Sequence, residues 1–293
     1  MLPGLLRRLN PDLLYAPAYT CPQRSPVPVA LFVHDLIALQ YPELCSRRNV
    51  LHMRALMPGS IARAEAILVS STTVAGQLVD TMGVTRDRVH LVPLGVDAEL
   101  FRRPADPMPE LSVASERPYL LFVGNLEPKK GLDTLLQAYG QCADRIGCDL
   151  VLAGRAAWGC RDLVQRLQSH PGPGAIHWLG RVPRADLPSL YQHAHAFVLP
   201  SLVEGFGLPV LEAMAAGTPV VHSDIPALTE TAGGAGVSFK VQDADDLAQC
   251  LADVCGSREL RDELVDRGRR RAAAMPWSRW AEGAINVFTS MCC

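Results

Sequence analysis

Short runs of apolar, often β-branched residues alternate along this chain with longer stretches whose apolar positions recur at helical spacing. In the first third, the runs Val29–His34, Ala66–Ser70 and Val89–Val92 read as strands. The stretches Arg48–Ala64 and Thr72–Met82 read as helices, the second opened by Ser71 or Thr72 as a capping hydroxyl. Phe101–Ser115 carries three prolines and several charges without periodicity, as a linker does. The remainder is more regular. Strands are expected at Tyr119–Val123, Asp149–Ala153, Ala175–Leu179, Ala196–Leu199, Pro219–His222 and Gly236–Phe239. Helices are expected between the first five, at Leu132–Ile146, Cys160–Gln168, Ala185–His193 and Pro209–Ala216. Three more close the chain, at Ala244–Cys255, Ser257–Ala274 and Trp277–Met291. Apolar strands alternating with amphipathic helices predict parallel sheets covered on both faces.

The 293 residues suit two domains. The pattern divides them into an α/β domain at 1–105, a second at 106–276, and a terminal helix at 277–293. The first has only three expected strands, and nothing before Val29 reads as one, so the first doubly wound domain is expected to be incomplete. Hydrophobic residues make up 48% and charged residues 20%, which excludes disordered, collagen-like and coiled-coil chains. A net charge of −2 argues against a nucleic-acid partner. Residues 1–105 carry 11 basic and 8 acidic side chains. That small excess keeps a peripheral contact with an anionic membrane open. No uncharged apolar run reaches the roughly 18–20 residues of a membrane span, and MLPGLLRRLNP is no signal peptide. The expected location is cytoplasmic, with peripheral attachment to the inner face of the membrane as the variant. Nine cysteines without a CxxC spacing argue against a disulfide framework or a zinc site. The terminal Cys292-Cys293 pair reads as an exposed tail rather than a lipidation site.

Candidate chemistry concentrates in Pro200-Ser-Leu-Val-Glu-Gly-Phe-Gly-Leu-Pro-Val-Leu-Glu212, where a strand gives way to a helix. In open α/β sheets that junction forms the ligand crevice. Gly205 and Gly207 allow close backbone approach, and Pro209 suits the first helical turn. The free N–H groups of that turn favour phosphate or sugar hydroxyls. Glu204 and Glu212 offer acceptors for vicinal hydroxyls. A second basic loop, Gly124-Asn-Leu-Glu-Pro-Lys-Lys-Gly131, also joins a strand to a helix and holds two of the chain's three lysines. It is no Walker A loop, since GK[ST] is missing. His193-Ala-His195 puts its two imidazoles on different helix faces, and Asp243-Ala-Asp245 opens a helix, so neither reads as a metal motif.

The string SLVEGFGLPVLEAMAAGTPVV, with its two glutamates eight residues apart, resembles the signature of the retaining glycosyltransferases of family 4, which have the GT-B fold of two Rossmann-like domains. The resemblance extends through LLFVGNLEPKKGLDTLLQAY, AIHWLGRVPRADLPSLYQHAHAFVLPS, VALFVHDLIALQYPEL and PWSRWAEGAINVF. It implies that Glu204 contacts the donor sugar, that backbone at Gly205, Phe206, Gly207 and Leu208 contacts sugar and diphosphate, and that Glu212 holds the ribose hydroxyls. Lys130 and Lys129 would neutralise the diphosphate leaving group, Asn125 standing where an Arg is common. Arg181 would lie by the nucleobase and His34 by the reacting sugar, while Asp35 caps its turn. Trp277 and Trp280 would pack between domains. The catalytic set is then His34, Glu204 and Lys130, with no metal or other cofactor. The substrates would be a nucleotide sugar (GDP-mannose or a UDP-sugar) and a glycan, lipid-linked or small-molecule acceptor. The family's Gly-rich loop after a first strand has no counterpart before Val29. A shortened, non-catalytic nucleotide-sugar-binding or interaction protein is therefore the alternative reading.

Overall fold

The computed structural model describes residues 2–107, 117–168 and 174–292. By contact the chain divides into two units, Met1–Gly95 with Trp277–Cys293, and Val96–Pro276. Both are α/β, each built on one parallel sheet.

In the first unit, helix α1 (Leu2–Leu9) is followed by β1 (Leu14–Ala16), β2 (Val29–Val33), α2 (Ile37–Gln40), α3 (Arg47–Arg63), β3 (Ala66–Val69), α4 (Thr72–Met82) and β4 (Val89–Leu91). The strands pair in the order β1-β2-β3-β4. The sheet therefore has a fourth strand, ahead of Val29, where none was expected. Leu14 pairs with Val29 and Ala16 with Leu31. Side chains alternate across a strand, and the two cores follow that alternation. Leu31, Val33, Ile67 and Val69 pack with Met57 and Ile61 of α3 and Val74 and Leu78 of α4. Ala30, Phe32, Ala66 and Leu68 face the other way, onto Ala284 and Val287 of the last helix, Trp277–Met291. Trp280 packs against Phe32 and Tyr15 in this core, with ring centroids 6.4 and 6.5 Å away.

The second unit opens with α5 (Ala98–Arg102) and continues through β5 (Tyr119–Val123), α6 (Leu132–Ile146), β6 (Asp149–Ala153), α7 (Arg161–Gln168), β7 (Ile176–Gly180), α8 (Leu187–His193), β8 (Ala196–Leu199), α9 (Leu208–Ala216), β9 (Val220–Ser223), α10 (Pro226–Ala232), β10 (Val237–Phe239), α11 (Ala244–Gly256) and α12 (Arg258–Ala273). Helix α13 is the Trp277–Met291 helix of the first unit. Part of the expected linker is thus helical. Phe101 of α5 is fully buried with its ring edge-on to Tyr191, and Gln192 donates to the carbonyls of Phe101 and Arg103. These contacts draw residues 96–105 into the second unit. The rest of that linker, 108–115, lies outside the described residues, as does Cys293 of the terminal cysteine pair; Cys292 is exposed.

The second sheet runs β10-β9-β8-β5-β6-β7. Successive strands build outward from β5 on one side, then return to its other side at β8. The strand order therefore reverses between β5 and β8. At such a switch point the loops leaving the carboxyl ends diverge and open a crevice.

Candidate functional site

The two loops singled out in the sequence leave the two strands that flank the switch point. After β5, Pro128–Lys130 forms a single 3₁₀ turn that ends at Gly131. After β8, the chain runs from Pro200 to Gly207, which begins α9 in a left-handed conformation at φ +98°. The loops touch through their backbones, the Leu202 N–H donating to the Lys129 carbonyl at 2.8 Å. Gly131 makes that approach sterically feasible. Its φ is +64°, and a Cβ there would meet the Pro200 carbonyl oxygen at 2.0 Å. Gly207 is constrained by its φ of +98°, and a Cβ there would lie 2.3 Å from the tip of the Leu228 side chain of α10. The Phe206 carbonyl accepts a hydrogen bond from Thr231 of the same helix at 2.6 Å. At the start of α9 the Leu208 N–H precedes the first helical acceptor, Pro209 has no N–H, and the Val210 N–H donates to the Gly207 carbonyl at 2.9 Å.

This junction brings Lys130 and Glu204 together. Lys130 Nζ donates to Glu204 Oε1 at 2.5 Å, and Ser201 Oγ donates to the same oxygen at 2.7 Å. Ser201 is itself fixed, its carbonyl accepting from Ser223 on β9. Burial pushes the Glu204 carboxyl upward, but the Lys130 charge and hydrogen bond, with smaller help from Ser201 and Lys129, outweigh it. The net result is a carboxylate below the usual glutamate range. Lys129 turns toward Glu127, with Nζ 3.6 Å from Oε1.

Glu212 sits in the opposite environment. It lies one turn into α9 and is almost fully buried. Tyr191, on α8, donates its hydroxyl to Oε2 at 3.1 Å. Desolvation dominates here and raises the carboxyl, with the Tyr191 bond and the Arg184 charge opposing it.

Beside the junction, a cavity of about 230 Å³ opens at the carboxyl ends of β5, β6 and β7. Asn125, Gly154, Arg155, Arg181 and Val182 are among its walls. Asn125 and Arg181, far apart in sequence, thus share one pocket. Arg155 was not anticipated; its place just past the end of β6 was the signal that could have singled it out. Tyr191 was also missed, because it acts through Glu212, a glutamate supplied by another segment; Ser201 was missed although it stands three residues before Glu204 in the same string.

His34 lies in the first unit, at the end of β2. Its Nε2 bonds the Pro17 carbonyl at 3.0 Å, and its ring packs on Phe32 and Tyr19. Asp35 does cap the following turn, accepting from the Ile37 N–H at 2.9 Å and from the Tyr19 hydroxyl at 2.7 Å. Tyr19, on the loop after β1, has a φ of +56°. A bulky residue rarely adopts that conformation without being held there. In the second unit, Asp243 caps α11 by accepting from the Asp246 N–H. His193 bonds the Ser189 carbonyl of its own helix.

Comparison with known proteins places these loops in context. Residues 107–271 match the sequence profile described as "Glycosyl transferases group 1", and residues 1–100 match "Glycosyltransferase Family 4". The O-antigen chain mannosyltransferase B of Escherichia coli is 31% identical over 288 residues, covering 97% of this chain and 75% of that protein. The D-inositol 3-phosphate glycosyltransferase of Nocardia farcinica is 29% identical over 242 residues, 78% of this chain. The chain spans only 53% of that relative's length. Among solved structures, sucrose-phosphate synthase from Thermosynechococcus elongatus superposes with a TM-score of 0.83 at 22% identity, over 98% of this chain and 75% of the other. The Anabaena protein Alr3699/HepE in complex with UDP and glucose gives 0.79 at 19% identity, over 98% and 80%.

Proposed function

Since the chain belongs to the group 1 glycosyltransferases of family 4 and has their GT-B fold, we propose that it transfers a sugar from a nucleotide diphosphate sugar to an acceptor hydroxyl with retention of configuration. The observation that carries this reading is the Lys130–Glu204 pair at the switch point, with an open cavity lined by Asn125, Arg155 and Arg181 beside it. In this reading the diphosphate lies at Lys130, Lys129 and the amides of Gly205, Phe206, Gly207 and Leu208. Glu204 orients the donor sugar and Glu212 takes the ribose hydroxyls. The base enters the cavity lined by Asn125, Arg155 and Arg181. His34 attends the reacting sugar, as in the family it resembles.

The reaction needs a stabilised leaving group more than a strong base. As the glycosidic C–O bond breaks, negative charge grows on the diphosphate, and fixed cations and amides lower the energy of that state. The departing phosphate oxygen takes the acceptor's proton, so the acceptor oxygen attacks the anomeric carbon on the face the phosphate leaves. Holding both reactants in that geometry is the protein's larger contribution. A mannosyl donor is favoured by the E. coli relative named a mannosyltransferase; a uridine donor is the competing choice, given the UDP-bound Anabaena structure. Incubation of the purified chain with GDP-mannose or UDP-glucose and a panel of acceptors tests the proposal. Nucleotide release that falls to background in Glu204→Ala, with an α-linked product from an α-linked donor, supports it. Nucleotide binding without turnover on any acceptor would favour a binding protein, and no binding of either nucleotide would remove both readings.

A further inference from the structure

Three residues from distant parts of the sequence converge at the amino-terminal ends of the second sheet, away from the donor crevice. Cys148 lies between Gly147, the left-handed cap of α6, and the start of β6. His195 immediately precedes β8, and Cys255 is the penultimate residue of α11. One ligand atom from each, the two Sγ atoms and a ring nitrogen, all lie within 4.8 Å of one another.

The sulfurs are 4.0 Å apart. That is about twice the ~2.05 Å of a disulfide bond. It is close to the roughly 3.8 Å edge of a tetrahedron whose sulfurs sit ~2.3 Å from a central zinc ion. Cys148 is fully buried, whereas His195 and Cys255 are partly exposed, which gives an ion a route in. The charges facing the group are Arg117, Asp149 and Arg261, and the thiol of Cys142 borders it from α6. Arg261 is already committed to the carbonyls of Val254 and Cys255.

We propose that Cys148, His195 and Cys255 bind one zinc ion, which ties the end of α11 to the starts of β6 and β8. Two thiolates and an imidazole suit zinc and exclude magnesium and calcium, which take oxygen ligands. On binding, each thiol releases its proton to solvent, the imidazole binds as the neutral base, and a water completes the tetrahedron. The two thiolate charges balance the ion. Parallel strands put the donor crevice at their carboxyl ends, so the site lies roughly 15 Å away across the five residues of β6. Its role is structural and takes no part in transfer.

The test uses the full chain, reduced with a phosphine, stripped with a chelator and titrated anaerobically with Co2+. The expected result is a thiolate-to-cobalt absorption band in the near ultraviolet that saturates at one equivalent. Zinc should displace it and raise the melting temperature. Because Cys148→Ser risks misfolding in the core, the partly exposed ligands carry the test. Cys255→Ser and His195→Gln should each weaken binding by roughly 100-fold or more, beyond the effect of losing an outer partner. Cys250→Ser, in the same helix but outside the cluster, should leave the titration unchanged. The proposal is overturned by the absence of a saturable band, by a band that survives in Cys255→Ser, or by reduced protein that ignores the metal while air closes a Cys148–Cys255 disulfide.

Discussion

Glu204 and Glu212 leave the same strand end, yet their surroundings drive their carboxyls in opposite directions. Lys130 holds Glu204 ionised below the ordinary glutamate range, against its burial. That part of the fold's stability is present above the unfolded-state value of about 4.3 and is lost as pH falls through the depressed folded value. In Lys130→Met the charge is gone and burial prevails, so the carboxyl rises. The acid limb of kcat/KM against pH should then move upward, and kcat should fall by about 10²–10³ as a leaving-group cation is lost. An acid limb that stays in place would mean that Glu204 does not govern the profile. Glu212 has the opposite sign. Its folded pKa is raised, so its contribution to stability falls as pH rises from the unfolded value through the folded one. Glu212→Gln keeps an acceptor for Tyr191 and removes that loss. The variant's melting temperature should therefore gain on the wild type over this pH window and hold its advantage above it, while nucleotide affinity drops for want of a carboxylate at the ribose. A difference in melting temperature between variant and wild type that stays constant across this window would contradict this account.

At the scale of elements, the two loops at the switch point act as one because Gly131 lets their backbones meet. Gly131→Ala forces a Cβ into the Pro200 carbonyl at a positive φ. The expected outcome is a loss of about 1–3 kcal/mol in urea unfolding, together with weakened nucleotide binding. Gly140, in the middle of α6 with open space where a Cβ would go, is the contrast. Gly140→Ala should stabilise the protein by roughly 0.5–1 kcal/mol and leave binding alone. The same scale explains what could be read in the sequence. Strands such as Tyr119–Val123, Asp149–Ala153 and Ala196–Leu199 are buried on both faces, so apart from the leading Asp149 their runs are apolar, and their limits coincide with the structure. Strand β1 has only three residues, Leu14-Tyr15-Ala16, with proline close on both sides, too short for periodicity to register. Helix α10 escaped for a similar reason, as seven residues between two strands. Glu204 and Lys130 were legible because each stands in a local motif. The Asn125–Arg181 pocket and the Cys148–His195–Cys255 cluster join segments that only the strand order brings together, and the absence of a CxxC spacing said nothing about them.

For the whole molecule, the first unit depends on residues from both ends of the described chain. Its sheet has two apolar faces. Helices α3 and α4 cover one, while the other packs on α13, some 180 residues beyond β4 in sequence. Ala284 and Val287 are buried there, and Trp280, Phe288 and Met291 pack around them. A fully buried large apolar side chain is worth ~1.5–3 kcal/mol; with Val287 buried and Trp280, Phe288 and Met291 partly so, this helix contributes a few kcal/mol, a sizeable share of the ~5–15 kcal/mol that holds a whole domain together. The second unit has its own six-stranded sheet, with Leu120, Leu121, Val198 and Leu199 fully buried within residues 96–276. Removal of residues 277–293 should therefore separate the two. Amides of β2 and β3 should lose their protection against hydrogen exchange, because Phe32 and Leu68 then face water. Amides of β5 and β8 should keep theirs, and nucleotide affinity should be unchanged, while sugar transfer is lost along with the structure around His34. Protection that survives in β2 and β3 after the deletion would show that the first sheet needs no cover on that face.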